Sequence, residues 1–195
     1  GQACGRARWR ARNQSALHIR GSTARPAVTI TTPPTTDPTS LAISPDGWTI
    51  AFVASDAGRP RLWLRSFDAA SARSLPGTDG ATLPFWAPHG RSIAFFADDG
   101  RLKRIDLDGG AVRVLANAPL PRGGAWSRDD TILFVSEGVL LRVSSNGGQP
   151  ETLATPDPGN GERFYQSPQL LPGGSDVLVS IGVGPAGSRR VVVFN

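Results

Sequence analysis

Short apolar runs recur along this chain at a nearly constant spacing, and the same kind of turn introduces each one. Ser44-Pro45-Asp46-Gly47 leads into Trp48-Thr49-Ile50-Ala51-Phe52-Val53-Ala54. Forty-three residues on, Ala87-Pro88-His89-Gly90 leads into Arg91-Ser92-Ile93-Ala94-Phe95-Phe96-Ala97. After 40 more, Ser127-Arg128-Asp129-Asp130 precedes Thr131-Ile132-Leu133-Phe134-Val135-Ser136, and after a further 44, Leu171-Pro172-Gly173-Gly174 precedes Ser175-Asp176-Val177-Leu178-Val179-Ser180. Proline presets φ at the second turn position, the Asp slot accepts backbone hydrogen bonds, and glycine takes the positive φ that closes the turn. The runs are short and rich in β-branched and aromatic residues, so each reads as a buried central strand.

Two further strands flank each central one. Leu62–Arg65, Leu102–Ile105, Leu140–Val143 and Arg190–Val193 follow as third strands, and weaker fourth strands end near Leu75, Leu115 and Leu153. First strands carry Ile43, Trp86, Trp126 or Leu170 ahead of the turn. No 3.6-residue periodicity survives the 23 glycines and 17 prolines, so helices are not expected. A four-stranded meander of this size cannot hide both faces alone. It must stack on its neighbours, burying side chains such as Phe52, Phe95 and Phe134 at about 1.5–3 kcal/mol each. Repetition of such units at this period predicts an all-β fold, a partial β-propeller of about four blades near residues 40–78, 82–116, 122–155 and 165–195. The last blade is incomplete, stopping after its third strand. A sandwich of unrelated strands would not need turns that repeat in register.

Composition changes the picture mainly at one end. Of the 195 residues 21 are basic and 16 acidic, but residues 1–36 hold six arginines and no acid. The remainder is therefore close to neutral. Residues 1–26 read as a disordered arginine-rich arm; Arg6 to Arg12, with Trp9 among them, also suit phosphate and base contacts, so a nucleic-acid role would rest on this arm alone. Asn13-Gln14-Ser15 fits a glycosylation sequon. Residues 27–39 read as a short strand around Val28 and Ile30, followed by a Pro/Thr linker. The strand suits the outer edge of a last blade, which would leave an open partial ring with unpaired edges and apolar faces. The single Cys4 excludes a disulfide framework, no apolar run is long enough for a membrane-spanning helix, and the absence of methionine marks a piece of a longer product.

Candidate chemistry is sparse. His89 occupies the turn slot that Asp46 holds in the first repeat, His18 lies in the arm, and no G-x-S-x-G elbow occurs. No catalytic, cofactor-binding or metal-ligating residue is assigned, and no cofactor is expected. Gly182 to Gly187 match G-x-G-x-x-G, but strand text follows instead of a helix, so the motif reads as a hairpin loop. Asp106-Leu107-Asp108-Gly109 resembles the start of a calcium loop without its remaining ligands, and aligns with turns at Ser66–Ala69 and Ser144–Gly147. Trp48, Trp63, Trp86 and Trp126 could line a ligand-binding mouth, but packing is the default reading for all four; Trp86 and Trp126 share the inner-strand slot of Ile43 and read as packing between blades, and Trp63, aligned with Lys103 and Leu141, is the better surface candidate.

The pattern S-P-D-G-x-x-I-A-F at Ser44–Phe52 resembles the WD40-like PD40 repeat of TolB-type propellers. The wider text of residues 27–195, including TPPTTDPTSLAISPDG, LPGTDGATLPFW and FFADDGRLKRIDLDGG, is similar to the propeller regions of bacterial transmembrane serine/threonine protein kinases. Over residues 1–26 the likeness stops, because the arm stands where that family carries a transmembrane helix. The resemblance implies a non-enzymatic sensor or interaction module, extracytoplasmic or alternatively cytoplasmic, with a kinase domain outside this chain. Its partners would be a protein, peptide or small ligand together with the remaining blades, and membrane contact only through a segment absent here. The other readings are a TolB-like periplasmic scaffold and the gating propeller of a prolyl-oligopeptidase-type serine peptidase.

Overall fold

A computed structural model describes residues 40–56, 58–174, 176–184 and 188–195. The arginine-rich arm, the strand at Val28 and Ile30 and the Pro/Thr linker lie outside the described residues. The first sheet contains β1 (Leu41–Ile43), β2 (Thr49–Asp56), β3 (Arg59–Ser66) and β4 (Arg73–Ser74). The second contains β5 (Ala81–Trp86), β6 (Ser92–Ala97), β7 (Arg101–Asp106) and β8 (Arg113–Asn117). The third contains β9 (Pro121–Trp126), β10 (Thr131–Ser136), β11 (Val139–Ser144) and β12 (Glu151–Ala154), and the fourth β13 (Glu162–Leu170), β14 (Val177–Val183) and β15 (Arg189–Phe194). Strand order follows chain order in every sheet and all neighbours are antiparallel, so each is a meander, the last with three strands. Among the described residues the only helical element is a 3-10 turn at Pro158–Asn160. We number the sheets blades 1 to 4.

Period-two alternation assigns each blade two sides. Ile93 and Phe95 of β6 pack with Ala51, Val53, Leu62 and Leu64 of blade 1, while their neighbours Ala94 and Phe96 pack with Trp126, Ile132 and Phe134 of blade 3. In turn, Leu133 and Val135 of β10 face Val177, Val179 and Ile181 of blade 4. Every second strand thus presents its I-x-F positions to the preceding blade and the positions between them to the following one. Phe95, Phe96 and Phe134 are fully buried, and the Phe96 and Phe134 rings meet 6.4 Å apart across the second interface. Phe52 keeps the parity of Phe95. It shares a face with its cross-strand partners Leu41 and Trp63, the face of blade 1 that no described sheet covers, where Leu41 and Ile43 stand exposed. At the other end Val191 and Val193 of β15 are exposed in the same way.

The first strands approach one another in succession, β1 to β5 to β9 to β13. From blade 2 onward each is interrupted by a bulge three residues before its Trp86, Trp126 or Leu170. The bulge residues Leu83 (φ 48), Gly123 (φ 104) and Ser167 (φ 50) all have positive φ. For a leucine or serine this conformation costs about 1–2 kcal/mol. Contacts along the axis hold it: the Leu83 N–H donates to Ser40 Oγ at 2.8 Å, and Gly123 packs so closely on Ser167 that a Cβ would lie 3.3 Å from Ser167 Cα.

Blade 2 seats an aromatic ring on bare backbone in blade 3. A Cβ on Gly124 would lie 2.5 Å from Phe85 Cε1 and 3.2 Å from the Leu133 carbonyl oxygen. Gly124→Ala should therefore destabilise the chain by about 1–3 kcal/mol in urea unfolding, whereas Val191→Ala on the exposed face should stay within about 0.5 kcal/mol.

Candidate functional site

Chemistry-bearing side chains gather where the first strands turn into the second. In blade 1, Gly47 (φ 75) closes the turn with its N–H on the Ser44 carbonyl at 2.8 Å. Asp46 Oδ1 accepts from the Ser44 hydroxyl at 2.5 Å and from Trp48 N–H at 2.9 Å, and Ser44 Oγ accepts from Thr49 N–H at 2.9 Å. Blade 3 repeats the arrangement with Ser127, Asp129 and Thr131, but Asp130 (φ 63) takes the left-handed slot that glycine fills elsewhere. These bonds favour the charged carboxylate. The Ser44 hydroxyl first, and Trp48 N–H next, hold Asp46 below its ordinary value; the Ser127 hydroxyl does the same for Asp129. In blade 2 His89 fills the slot, and its Nδ1 accepts from Arg91 N–H at 3.1 Å. The histidine is a turn residue.

Between blades, this end of the fold forms three pseudo-equivalent grooves. Register sets Leu64, Arg104 and Arg142 in one slot, opposite Ala51, Ala94 and Leu133. It sets Trp86, Trp126 and Leu170 in another, on the following blade. Between blades 2 and 3 the chain fills its own groove. The Arg104 guanidinium lies 5.4 Å from the centre of the Trp126 ring, donates from Nε to Asp106 Oδ1 at 2.8 Å, and reaches the Ser145 carbonyl at 3.1 Å. Ser92 Oγ donates to the same Asp106 oxygen at 2.6 Å, and His89 stands edge-on to Trp126 at 6.1 Å.

The outer two grooves are open. Ser44, Asp46, Thr49, Leu64, Ser66 and Trp86 line one of about 360 Å³ between blades 1 and 2. Asp129, Arg142, Leu153, Leu170 and Phe194 line one of about 380 Å³ between blades 3 and 4, where Arg142 pairs with Glu151 at 2.8 Å near the solvent. Among the described residues no group of three His, Cys, Asp or Glu side chains is placed to hold a metal ion, and no helix is long and apolar enough to cross a membrane.

The residues singled out from the sequence take these places. Trp86 and Trp126 are buried between blades, with Trp86 Nε1 donating to the Ala42 carbonyl at 3.1 Å; Trp63 is half-buried and Trp48 exposed. Gly182 and Val183 lie in β14, which pairs with the following strand β15, and Val183 N–H donates to the Ser188 carbonyl; residues 185–187 of the glycine-rich motif lie outside the described residues. Asp106, read as part of a turn, anchors Arg104 as well. The contact of Arg104 with Trp126 escaped sequence reasoning. The repeat alignment carries only the slot, Arg104 falling opposite Ala94 as Leu64 falls opposite Ala51, and not what the side chain meets.

No family model matches the chain. In solved structures it is similar to TolB from Acinetobacter baumannii, with 20% identity and a TM-score of 0.65, over 80% of this chain and 40% of that one. It is also similar to the β-propeller domain of the Trilobed protease from Pyrococcus furiosus, described as having an open velcro topology, with 15% identity and a TM-score of 0.58, over 80% and 54% of the two chains. The fold is an open, partial β-propeller. Among curated proteins the chain is 28% identical over 120 residues to the uncharacterized peptidase YuxL of Bacillus subtilis, a stretch covering 54% of this chain and 17% of that protein. The propeller thus spans less than two thirds of each of these proteins.

Asp106 offers a direct test of the self-filled groove. Burial opposes its charge, but the Arg104 and Ser92 bonds outweigh that and hold the carboxyl below its ordinary value of 3.8. A depressed folded pKa gives stability that is present above the unfolded value and lost as the pH falls through the folded one. Asp106→Asn should therefore unfold at lower urea than the unsubstituted chain near neutral pH, with the gap closing as the pH drops below 3.8.

Proposed function

We propose that the chain is a non-catalytic interaction module that binds a protein or peptide at the turn end of its blades. The observation that carries this reading is the open groove between blades 3 and 4. Its Leu153, Leu170 and Phe194 offer apolar contact while Asp129 and Arg142 supply orienting charge. By the resemblance of residues 27–195, the whole protein would be a bacterial kinase-linked receptor with this propeller on the extracytoplasmic side. The likeness to TolB favours a periplasmic scaffold as a related reading.

A second reading follows from the similarity to YuxL: the gating propeller of a prolyl-oligopeptidase-type peptidase, whose hydrolase would lie outside this chain. Neighbouring coding sequence separates the two, because a kinase with a membrane span upstream fits the first and a downstream G-x-S-x-G domain fits the second.

Selection of a displayed peptide library on residues 1–195 tests the binding claim. Selected peptides should lose about tenfold or more in affinity with Leu153→Asp. They should stay intact during prolonged incubation. Binding indifferent both to that substitution and to Asp46→Asn in the other open groove, or peptide cleavage by the purified chain, contradicts the proposal.

A further inference from the structure

The three grooves are variations on one design, and the middle one displays its guest. There a guanidinium lies over a tryptophan ring, with a carboxylate and a backbone carbonyl as acceptors. The groove between blades 1 and 2 keeps the ring, as Trp86, but holds Leu64 in the slot of Arg104. It also holds Ser66 in the slot of Asp106, with Thr49 Oγ1 and Ser66 Oγ 3.3 Å apart where Ser92 meets Asp106. Leu64 is shorter and uncharged; it packs in the same core as Trp86 and leaves a cavity beside both. The negative charge is present, because Asp46 stands where the middle groove has His89, and it lines the same cavity as Trp86. Both of its short hydrogen bonds fall on Oδ1.

Resting on the reading of the turn end as a binding face, we propose that the groove between blades 1 and 2 takes an arginine side chain of a partner polypeptide. The guanidinium lies over Trp86 and pairs with Asp46, reproducing in trans what Arg104 does in cis. The hydroxyls of Thr49, Ser66 and Ser71 supply further acceptors along the wall. Arg73 also lines the groove, exposed on β4 opposite Leu64. Its like charge does not bar the guest. In the middle groove Arg113 holds the corresponding place opposite Arg104, and that guanidinium is seated all the same. A guanidinium suits this site better than an ammonium because its planar face stacks on indole while its edge donates to a carboxylate. The groove between blades 3 and 4 has Leu170 in place of the tryptophan and Arg142 in the slot of Arg104, with Phe194 as the ring in its lining, and is the internal control.

The test is an amide and indole N–H chemical-shift titration of residues 1–195 with Nα-acetyl-arginine methylamide, beside its neutral citrulline counterpart. The expected result is saturable shifts at Asp46, Leu107 and the Trp86 indole that citrulline does not reproduce. Asp46→Asn, which keeps the oxygen that accepts in the turn, should weaken binding about tenfold. Leu64→Arg should install the missing occupant and abolish the shifts; should that variant fail to fold, the citrulline and Asp46→Asn comparisons on the folded chain decide. No saturable shift, equal response to citrulline, unchanged affinity in Asp46→Asn, or shifts centred on Leu170 would each overturn the proposal. Displayed peptides that still bind near Leu153 while arginine fails would remove this inference alone and leave the interaction module standing.

Discussion

A β-sheet has two faces, and a four-stranded meander built mainly of apolar second strands must cover both. That constraint organises the whole molecule. Adjacent residues of one strand serve different cores, as Phe95 and Phe96 show: the first is sealed against blade 1 and the second against blade 3. A one-residue slip in the pairing of β6 would exchange the two and spoil both interfaces at once. The repeating turns fix that register, because each turn starts its second strand at a set distance from the first. The same rule leaves apolar side chains at the outermost faces, Leu41 and Ile43 at one end and Val191 and Val193 at the other.

Stability and recognition are divided along each strand. The middle of the second strands is committed to packing, and the polar variation lies near the turn. Three positions of the repeat decide the character of each groove. Where they are His89, Arg104 and Trp126 the groove is filled from within; where they are Asp46, Leu64 and Trp86 it stays open. Substitution at Asp46 or His89 alters the surface chemistry of the turn, whereas Leu64, Trp86 and Trp126 belong to the cores as well. The bulges at Leu83, Gly123 and Ser167 belong to the scaffold: they bend the first strands towards one another, and the axial contacts offset their backbone cost.

Architecture was legible in the sequence because its cause is local. Proline, an acceptor and glycine in a fixed order make a turn, and the apolar run after them makes a strand, so repetition alone exposes the blades. The strand parity was legible too, since Trp86 and Trp126 align and are both buried between blades. The bulges were hidden, because nothing in a leucine or serine announces a positive φ; only Gly123 gave a local sign. The Arg104 contact was hidden for another reason. An arginine in a strand ordinarily reaches solvent, and its seat over Trp126 depends on the stagger of two blades brought together across about twenty residues of intervening chain. The open grooves are properties of that same stagger, so no pattern along one strand discloses them.

The alternating assignment of side chains to opposite cores is the claim on which the rest stands, and a pair of double-mutant cycles tests it most directly. Phe96→Leu and Phe134→Leu, whose rings meet across one interface, should be coupled by about 0.5–1.5 kcal/mol in urea unfolding. Phe95→Leu and Phe134→Leu, on opposite sides of blade 2, should be additive to within about 0.5 kcal/mol. Additivity in the first pair together with coupling in the second would mean that the two faces of β6 are exchanged, and the arrangement of blades described above would be wrong.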